Sequence, residues 1–199
     1  MAFPRSSRLL GGGGSHTIYI GCDFLMIVVN FFAGAGAGKS TISAEVFSKL
    51  KKLGYKTELV GEYAKECILQ QNFEMLKDQL YLFATQVHRL RGLEKSGVDI
   101  AVSDSPLPLN LIYGNEGKIF EELVWHEFNK YDNMNYLLDR IDGFWQTDGR
   151  VGDEKIARKV DKDLIKLLKN INYISLSPFN GDFVIRDITE RKKKISECI

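Results

Sequence analysis

A chain of 199 residues that is 44% hydrophobic, with a formal net charge of +1, fits one soluble globular domain with a proper core. The near-zero charge argues against a large electrostatic footprint on duplex nucleic acid and leaves room only for a small basic groove. Cysteines without paired spacing (Cys22, Cys67, Cys198), scattered histidines (His16, His88, His126) and no long apolar run exclude a disulfide frame, a zinc site and a membrane span, and predict a cytoplasmic protein.

In chain order, residues 1–25 read as an extension. They hold the linker-like run Gly11 to Ser15, and only Thr17-Ile18-Tyr19-Ile20 has strand character. Arg5 and Arg8 are not followed by a continuous apolar stretch, so a secretory signal is not expected. Met26 reads as the natural start, with one domain over 26–199.

Met26-Ile27-Val28-Val29 forms a first apolar strand, and the run from Asn30 to Thr41 follows it. Within that run Ala33, Gly34, Ala35, Gly36, Ala37 and Gly38 let the backbone curl closely, and Lys39, Ser40 and Thr41 open a helix. Strand, glycine-rich turn and helix N-terminus together form a phosphate-binding loop. Its N–H groups point inward and the helix adds a positive dipole end. Lys39 is placed to reach the β- and γ-phosphates, and the Ser40 hydroxyl to join the shell of a Mg²⁺ ion. A flexible Gly/Ala linker would not carry a Gly-Lys-Ser-Thr ending between a buried strand and an amphipathic helix. One departure from G-x-x-x-x-G-K-[ST] is visible, Ala33 in the first position, a perturbation of one methyl group. The pattern predicts nucleoside triphosphate binding.

Ile42, Val46, Leu50 and Leu53 recur at helical spacing up to Gly54. Lys56 to Gly61 reads as a second strand with Glu62 at its carboxyl end, and a helix is expected from Leu76 to Lys95, stopped by Gly97. Asp99 to Ser103 forms a third, buried strand ending in Asp104. Residues 115–130 carry an amphipathic helix through Phe120, Leu123, Val124 and Phe128. Met134 to Leu138 and Tyr173 to Leu176 are the fourth and fifth strands, separated by a helix with Ile156, Val160, Leu164 and Leu167. The segment 140–158 holds Gly143, Gly149 and Gly152 and reads as a lid. Alternating strands and helices predict a three-layer α/β sandwich, a five-stranded parallel sheet with helices on both faces. In such sheets the site lies at the carboxyl ends of the strands.

Three groups fall where that rule puts a site. Asp104 can hold Mg²⁺ beside Ser40, or cap the segment that opens at Pro106. Glu62 can orient an acceptor hydroxyl and take its proton, or serve as a first-turn carboxylate favoured by the helix dipole. Arg140, Arg150 and Arg158 lie in or beside the lid, where guanidinium groups stabilise a transferring phosphoryl group. The alternative is ordinary solvated charge, and Arg150 in Asp148-Gly149-Arg150 is the best single candidate. Gln79, Phe83 and Gln86 share a helix face, with Arg89 close by. Amides beside an aromatic ring suit a base edge and its stacked face, and equally suit a core aromatic flanked by solvated amides.

The phosphate loop, Val-Gly-Glu-Tyr-Ala-Lys-Glu at 60–66 and Val-Ser-Asp-Ser-Pro-Leu at 102–107 together resemble one family. It is the group of small P-loop ATPase/kinase domains that includes the ribosylnicotinamide kinase domain and many bacteriophage nucleoside/nucleotide kinase-like proteins. The similarity runs from Met26 to about Leu176, and Asp78 to Phe83 and Tyr131 to Tyr136 look most like the phage members. It implies a P-loop kinase fold and a carboxylate serving the acceptor hydroxyl, a position matched by Glu62. Lid arginines are matched loosely by Arg150 and Arg140. The implied acceptor is a nucleoside, a nucleotide or a hydroxymethylated base, with DNA only as a substrate. The compartment is the cytoplasm, the host's if the chain is phage-encoded, and a homodimer stays open.

The expected activity is therefore transfer of the γ-phosphoryl of ATP to a hydroxyl, with Mg²⁺. The competing class is a P-loop ATPase acting as a switch or motor on protein or DNA. Motors usually carry a second acidic residue after the strand-end aspartate, and Ser105 stands there instead.

Overall fold

A computed structural model describes residues 25–114, 116–143, 145 and 153–197. The proposed extension over residues 1–25, apart from Leu25, lies outside them, as do Arg150 and the rest of 146–152, and residue 144, within the lid segment. The elements in chain order are β1 (Ile27–Phe32), α1 (Lys39–Lys52), β2 (Thr57–Val60), α2 (Tyr63–Leu69), α3 (Gln79–Lys95) and β3 (Ile100–Ser103). Then come α4 (Asn110–Tyr113), α5 (Lys118–Phe128), β4 (Asp132–Leu138), α6 (Glu154–Leu167), β5 (Ile174–Leu176) and α7 (Gly181–Glu197).

All strand pairs are parallel, in the order β2-β3-β1-β4-β5. β1 is central and covered on both faces, which is why it reads as a continuous apolar run and not as an alternating one. Ile27, Val29 and Phe31 face α1 and α7, packing with Ile42, Val46, Leu50, Val184 and Ile188. Val28 and Phe32 face the other way, into a cluster with Phe83, Val87 and Leu90 of α3, Phe120 and Val124 of α5, and Val160 and Leu164 of α6. The result is a three-layer α/β sandwich, a five-stranded parallel sheet with helices on both faces. No helix among the described residues is long and apolar enough to cross a membrane.

Several boundaries differ from the sequence expectation. β1 continues through Asn30 to Phe32, and β4 begins at Asp132. Polar residues hide these stretches from an apolar count, yet they are bonded within the sheet. The Asn30 amide donates to the side-chain oxygens of Asn133 (2.9 Å) and Asn135 (3.0 Å). Asn133 donates in turn to the Phe128 and Tyr131 carbonyls, and Asn135 to that of Asn172. The expected helix from Leu76 breaks at Asp78, whose carboxylate accepts from the Tyr81 N–H at 2.9 Å and so starts α3 afresh. α5 starts only after Gly117, whose φ of 81° is not helical. α2 is the helix implied by reading Glu62 as a first-turn carboxylate, and α7 lies outside the expected elements. α7 buries a narrow stripe, Gly181, Val184 and Ile188, amid charged residues.

Candidate active site

The carboxyl ends of β1, β2, β3 and β4 bring the phosphate loop, Glu62, Asp104 and Arg140 to one edge of the sheet. The loop leaves β1 with Ala33 fully buried in the apolar layer under α1, so the methyl group that departs from the glycine pattern is packed. Gly38 precedes α1 with a φ of +87°, a region L side chains avoid, and a Cβ there would stand 2.9 Å from Pro178 in the turn after β5. No side chain caps α1, and its first turn carries no acid. Its leading N–H groups are thus available to an anion.

Lys39 folds back over the loop, and its Nζ donates to the carbonyls of Ala33 (2.9 Å) and Gly34 (3.1 Å). Burial lowers its pKa, opposed by the charges of Glu62, Asp104 and Asp161. An ammonium has three donors, and the two carbonyls leave one that an anionic oxygen could take.

Asp104 is buried beside Ser40. Its Oδ1 has no hydrogen-bond partner, and the turn opening at Pro106 takes no side-chain cap, so this carboxylate is not spent on capping. Burial pushes its pKa up, the charge of Glu62 adds to this, and the Ser40 hydroxyl and Lys39 pull it back. An orphaned buried carboxylate oxygen next to a hydroxyl fits a hard divalent cation. Among the described residues no group of three or more His, Cys, Asp or Glu forms a ready-made metal cage. Mg²⁺ suits such a place, because it keeps waters and phosphate oxygens as ligands.

Glu62 occupies the N-cap position of α2 but makes no capping hydrogen bond. Its side chain lines a cavity of about 560 Å³ that begins at the phosphate loop. The far wall combines the amides of Gln79, Gln86 and Asn110 with Ile68, Leu76, Leu82, Leu109 and the Tyr113 ring. Each amide is anchored through its nitrogen to a backbone carbonyl: Gln79 to Leu76 (2.9 Å), Gln86 to Ser105 (3.0 Å) and Asn110 to Leu107 (2.9 Å). Desolvation against the cavity, and then the charges of Glu62 and Asp161, shift the Tyr113 phenol upward, though the residue keeps about half of its surface exposed. It therefore stays a protonated donor near neutral pH.

Other candidate residues fall elsewhere. Phe83 is buried and packs edge-on against Phe120, with ring centroids 5.4 Å apart, away from the cavity wall. Arg89 pairs with both oxygens of Glu66 (2.9 and 3.0 Å), donates to the Gly61 carbonyl and lies over the Tyr63 ring. It braces the turn that presents Glu62. Arg158 is surface charge bonded to Asp142 and Glu154. Arg140 is buried, its Nε donating to Asp161 at 2.7 Å while its Nη2 has no partner.

Sequence reasoning missed Asn110, Tyr113 and Asp161. The first two stand in a short segment without periodicity. Asp161 had a signal: it lies one turn after Ala157 on the helix face that buries Ala157, Val160 and Leu164.

No protein-family model and no curated protein matches this chain. Among solved structures, a deoxyadenosine kinase from M. mycoides, with products dCMP and a flexible dCDP bound, superposes on 84% of this chain and 99% of its own. The two are 17% identical, with a TM-score of 0.47.

Proposed function

We propose that this chain is an ATP-dependent phosphotransferase that moves the γ-phosphoryl group to a hydroxyl of a nucleoside, a nucleotide or a hydroxymethylated nucleic-acid base. One observation carries the reading: the phosphate loop and Glu62 line a single cavity, so a donor phosphate and an acceptor hydroxyl can meet inside it. Its volume of about 560 Å³ is that of a small-molecule site, large enough for a nucleoside-sized ligand and far too small for a duplex. A base in DNA would have to leave its stack to enter.

The chemistry follows from the residues. Lys39 and the N–H groups of the loop and α1 hold the β- and γ-phosphates. Glu62 orients the acceptor hydroxyl and takes its proton as the new oxygen–phosphorus bond forms. The bond between the γ-phosphorus and the bridging oxygen breaks, and ADP leaves. Ser40 and Asp104 would hold Mg²⁺, which when bound offsets charge on the β- and γ-oxygens. Arg140 and the lid's Arg150 supply further positive charge to the equatorial oxygens. Gln79, Gln86 and Asn110 offer amide edges to the acceptor, and the apolar wall excludes water that would otherwise hydrolyse ATP. The resemblance to phage proteins suggests a place in bacteriophage nucleotide or DNA metabolism.

Incubation with γ-labelled ATP and a panel of nucleosides, nucleotides and hydroxymethylated DNA tests the reading. Label in at least one acceptor is expected. Release of ADP and inorganic phosphate with no labelled acceptor would defeat it.

A further inference from the structure

We infer that Asp161 is a positioning residue, which ties α6 to the entrance of the phosphate loop and aims Arg140 at the loop. What Arg140 serves there rests on the phosphotransferase reading above. The two oxygens of Asp161 are divided between two partners. Oδ1 accepts from the Gly34 N–H at 2.7 Å, and Oδ2 accepts from Arg140 Nε at 2.7 Å. One carboxylate thus joins the exit of β1, the exit of β4 and helix α6.

The junction is close-packed. A Cβ on Gly34 would stand 2.5 Å from the Ala157 carbonyl oxygen and 2.8 Å from Asp161 Oδ1, so only glycine lets α6 approach this far. The Nε bond fixes the plane of a guanidinium whose side chain is only 7% exposed. Its Nη2 is left buried without a partner, 3.1 Å from where that Gly34 Cβ would be. Lys39 feels the charges of both Arg140 and Asp161. A buried cationic donor with an open hydrogen beside a polyphosphate loop is a seat for one more anionic oxygen. ATP has a terminal phosphate that ADP lacks, so Asp161 should matter for telling the two apart.

Asp161→Asn, made in the full chain, keeps an oxygen for the Gly34 N–H but brings no charge to Arg140. Affinities for ATP and ADP are read by calorimetry with Mg²⁺, alongside kcat and KM for ATP in any transfer assay. The expected result is a preference for ATP over ADP narrowed by about tenfold, with kcat falling more than KM rises. Arg140→Gln, which leaves the Gly34–Asp161 bond in place, should narrow the preference equally, and the double variant should be no worse than either single one. A purely structural aspartate would lower the melting temperature while leaving the ATP/ADP ratio within about twofold. That ratio, or additivity with Arg140→Gln, would overturn the inference. Should Asp161→Asn fail to fold, an unchanged ratio in Arg140→Gln is sufficient to overturn it. The ratio needs no acceptor, so it tests Asp161 even if no phosphoryl transfer is found. A wild-type chain that binds neither nucleotide overturns both readings.

Discussion

The phosphate loop and the acceptor cavity adjoin, yet they are built in opposite ways. The loop is contiguous, residues 33–41, and offers mainly backbone N–H groups and one lysine. The cavity wall draws single side chains from the turn after β2, from α3, from the segment after β3 and from α4. A site made of backbone needs a particular chain shape, which a short run of small residues encodes locally. A site made of side chains needs only that distant segments be packed together. Few positions are then constrained, and they are scattered over segments far apart in sequence.

This contrast can be broken by mutation. The largest effect should come from Lys39→Ala, which removes the one charge inside the loop. Phosphoryl transfer should fall by at least about a hundredfold, checked by steady-state kinetics on the folded variant. Near-normal turnover would mean the loop is not the donor site.

Glu62→Gln should separate the two regions. It should lower kcat by about a hundredfold while calorimetry finds ATP affinity within about twofold of the parent. A loss of ATP affinity would move Glu62 to the donor side and erase the distinction drawn above.

Asp104→Asn should have a smaller and two-sided effect. The neutral amide is a poorer partner for a hard cation, so the Mg²⁺ concentration for half-maximal activity should rise by about tenfold. Stability should move the other way. Burial raises the folded-state pKa of Asp104 above its ordinary 3.8, so the native chain binds more protons than the unfolded one between those values. Its contribution to stability is therefore lost as pH rises through that window. Asparagine never ionises, and in the absence of nucleotide and Mg²⁺ the variant should melt at a higher temperature at neutral pH. A lower melting temperature would show that the buried charge is compensated after all.

The smallest effect should follow Gln86→Leu, on the cavity's far wall. One amide edge lost should raise the acceptor KM by about tenfold or less and leave the KM for ATP unchanged. Equal changes in both constants would mean that the wall and the loop are one site energetically.

The same contrast explains what was legible in the sequence. The apolar runs of β1 and β3 announce buried strands, and the strand-end rule then locates Asp104, and Glu62 after β2, at the edge that carries the loop. Helical spacing placed Gln79, Phe83 and Gln86 on a common face, but it could not say which part of that face looks into the cavity and which into the core. Phe83 took the core, against Phe120. Arg89, one turn from Gln86, turned to Glu66. Asp161 is hard to single out in the sequence, because a carboxylate in a lysine-rich helix looks like solvated charge. Only its spacing from Ala157 shows that it shares the buried face.

The asparagine ladder between β1 and β4 has a consequence for alignment. Asn30 is gripped by Asn133 and Asn135 at once, and only one pairing of the two strands satisfies it. Sliding β4 by a single residue would shift its end by about 3.3 Å and turn each of its side chains to the opposite face of the sheet. Arg140 rides on that end, two residues past Leu138, while Gly34 rides two residues past the end of β1. Two buried amides, Asn30 and Asn135, and the half-buried Asn133 therefore act as a registration mark for a guanidinium and a glycine at the sheet's rim. Asn30→Val, though fully compatible with a buried strand, would be expected to blur that alignment.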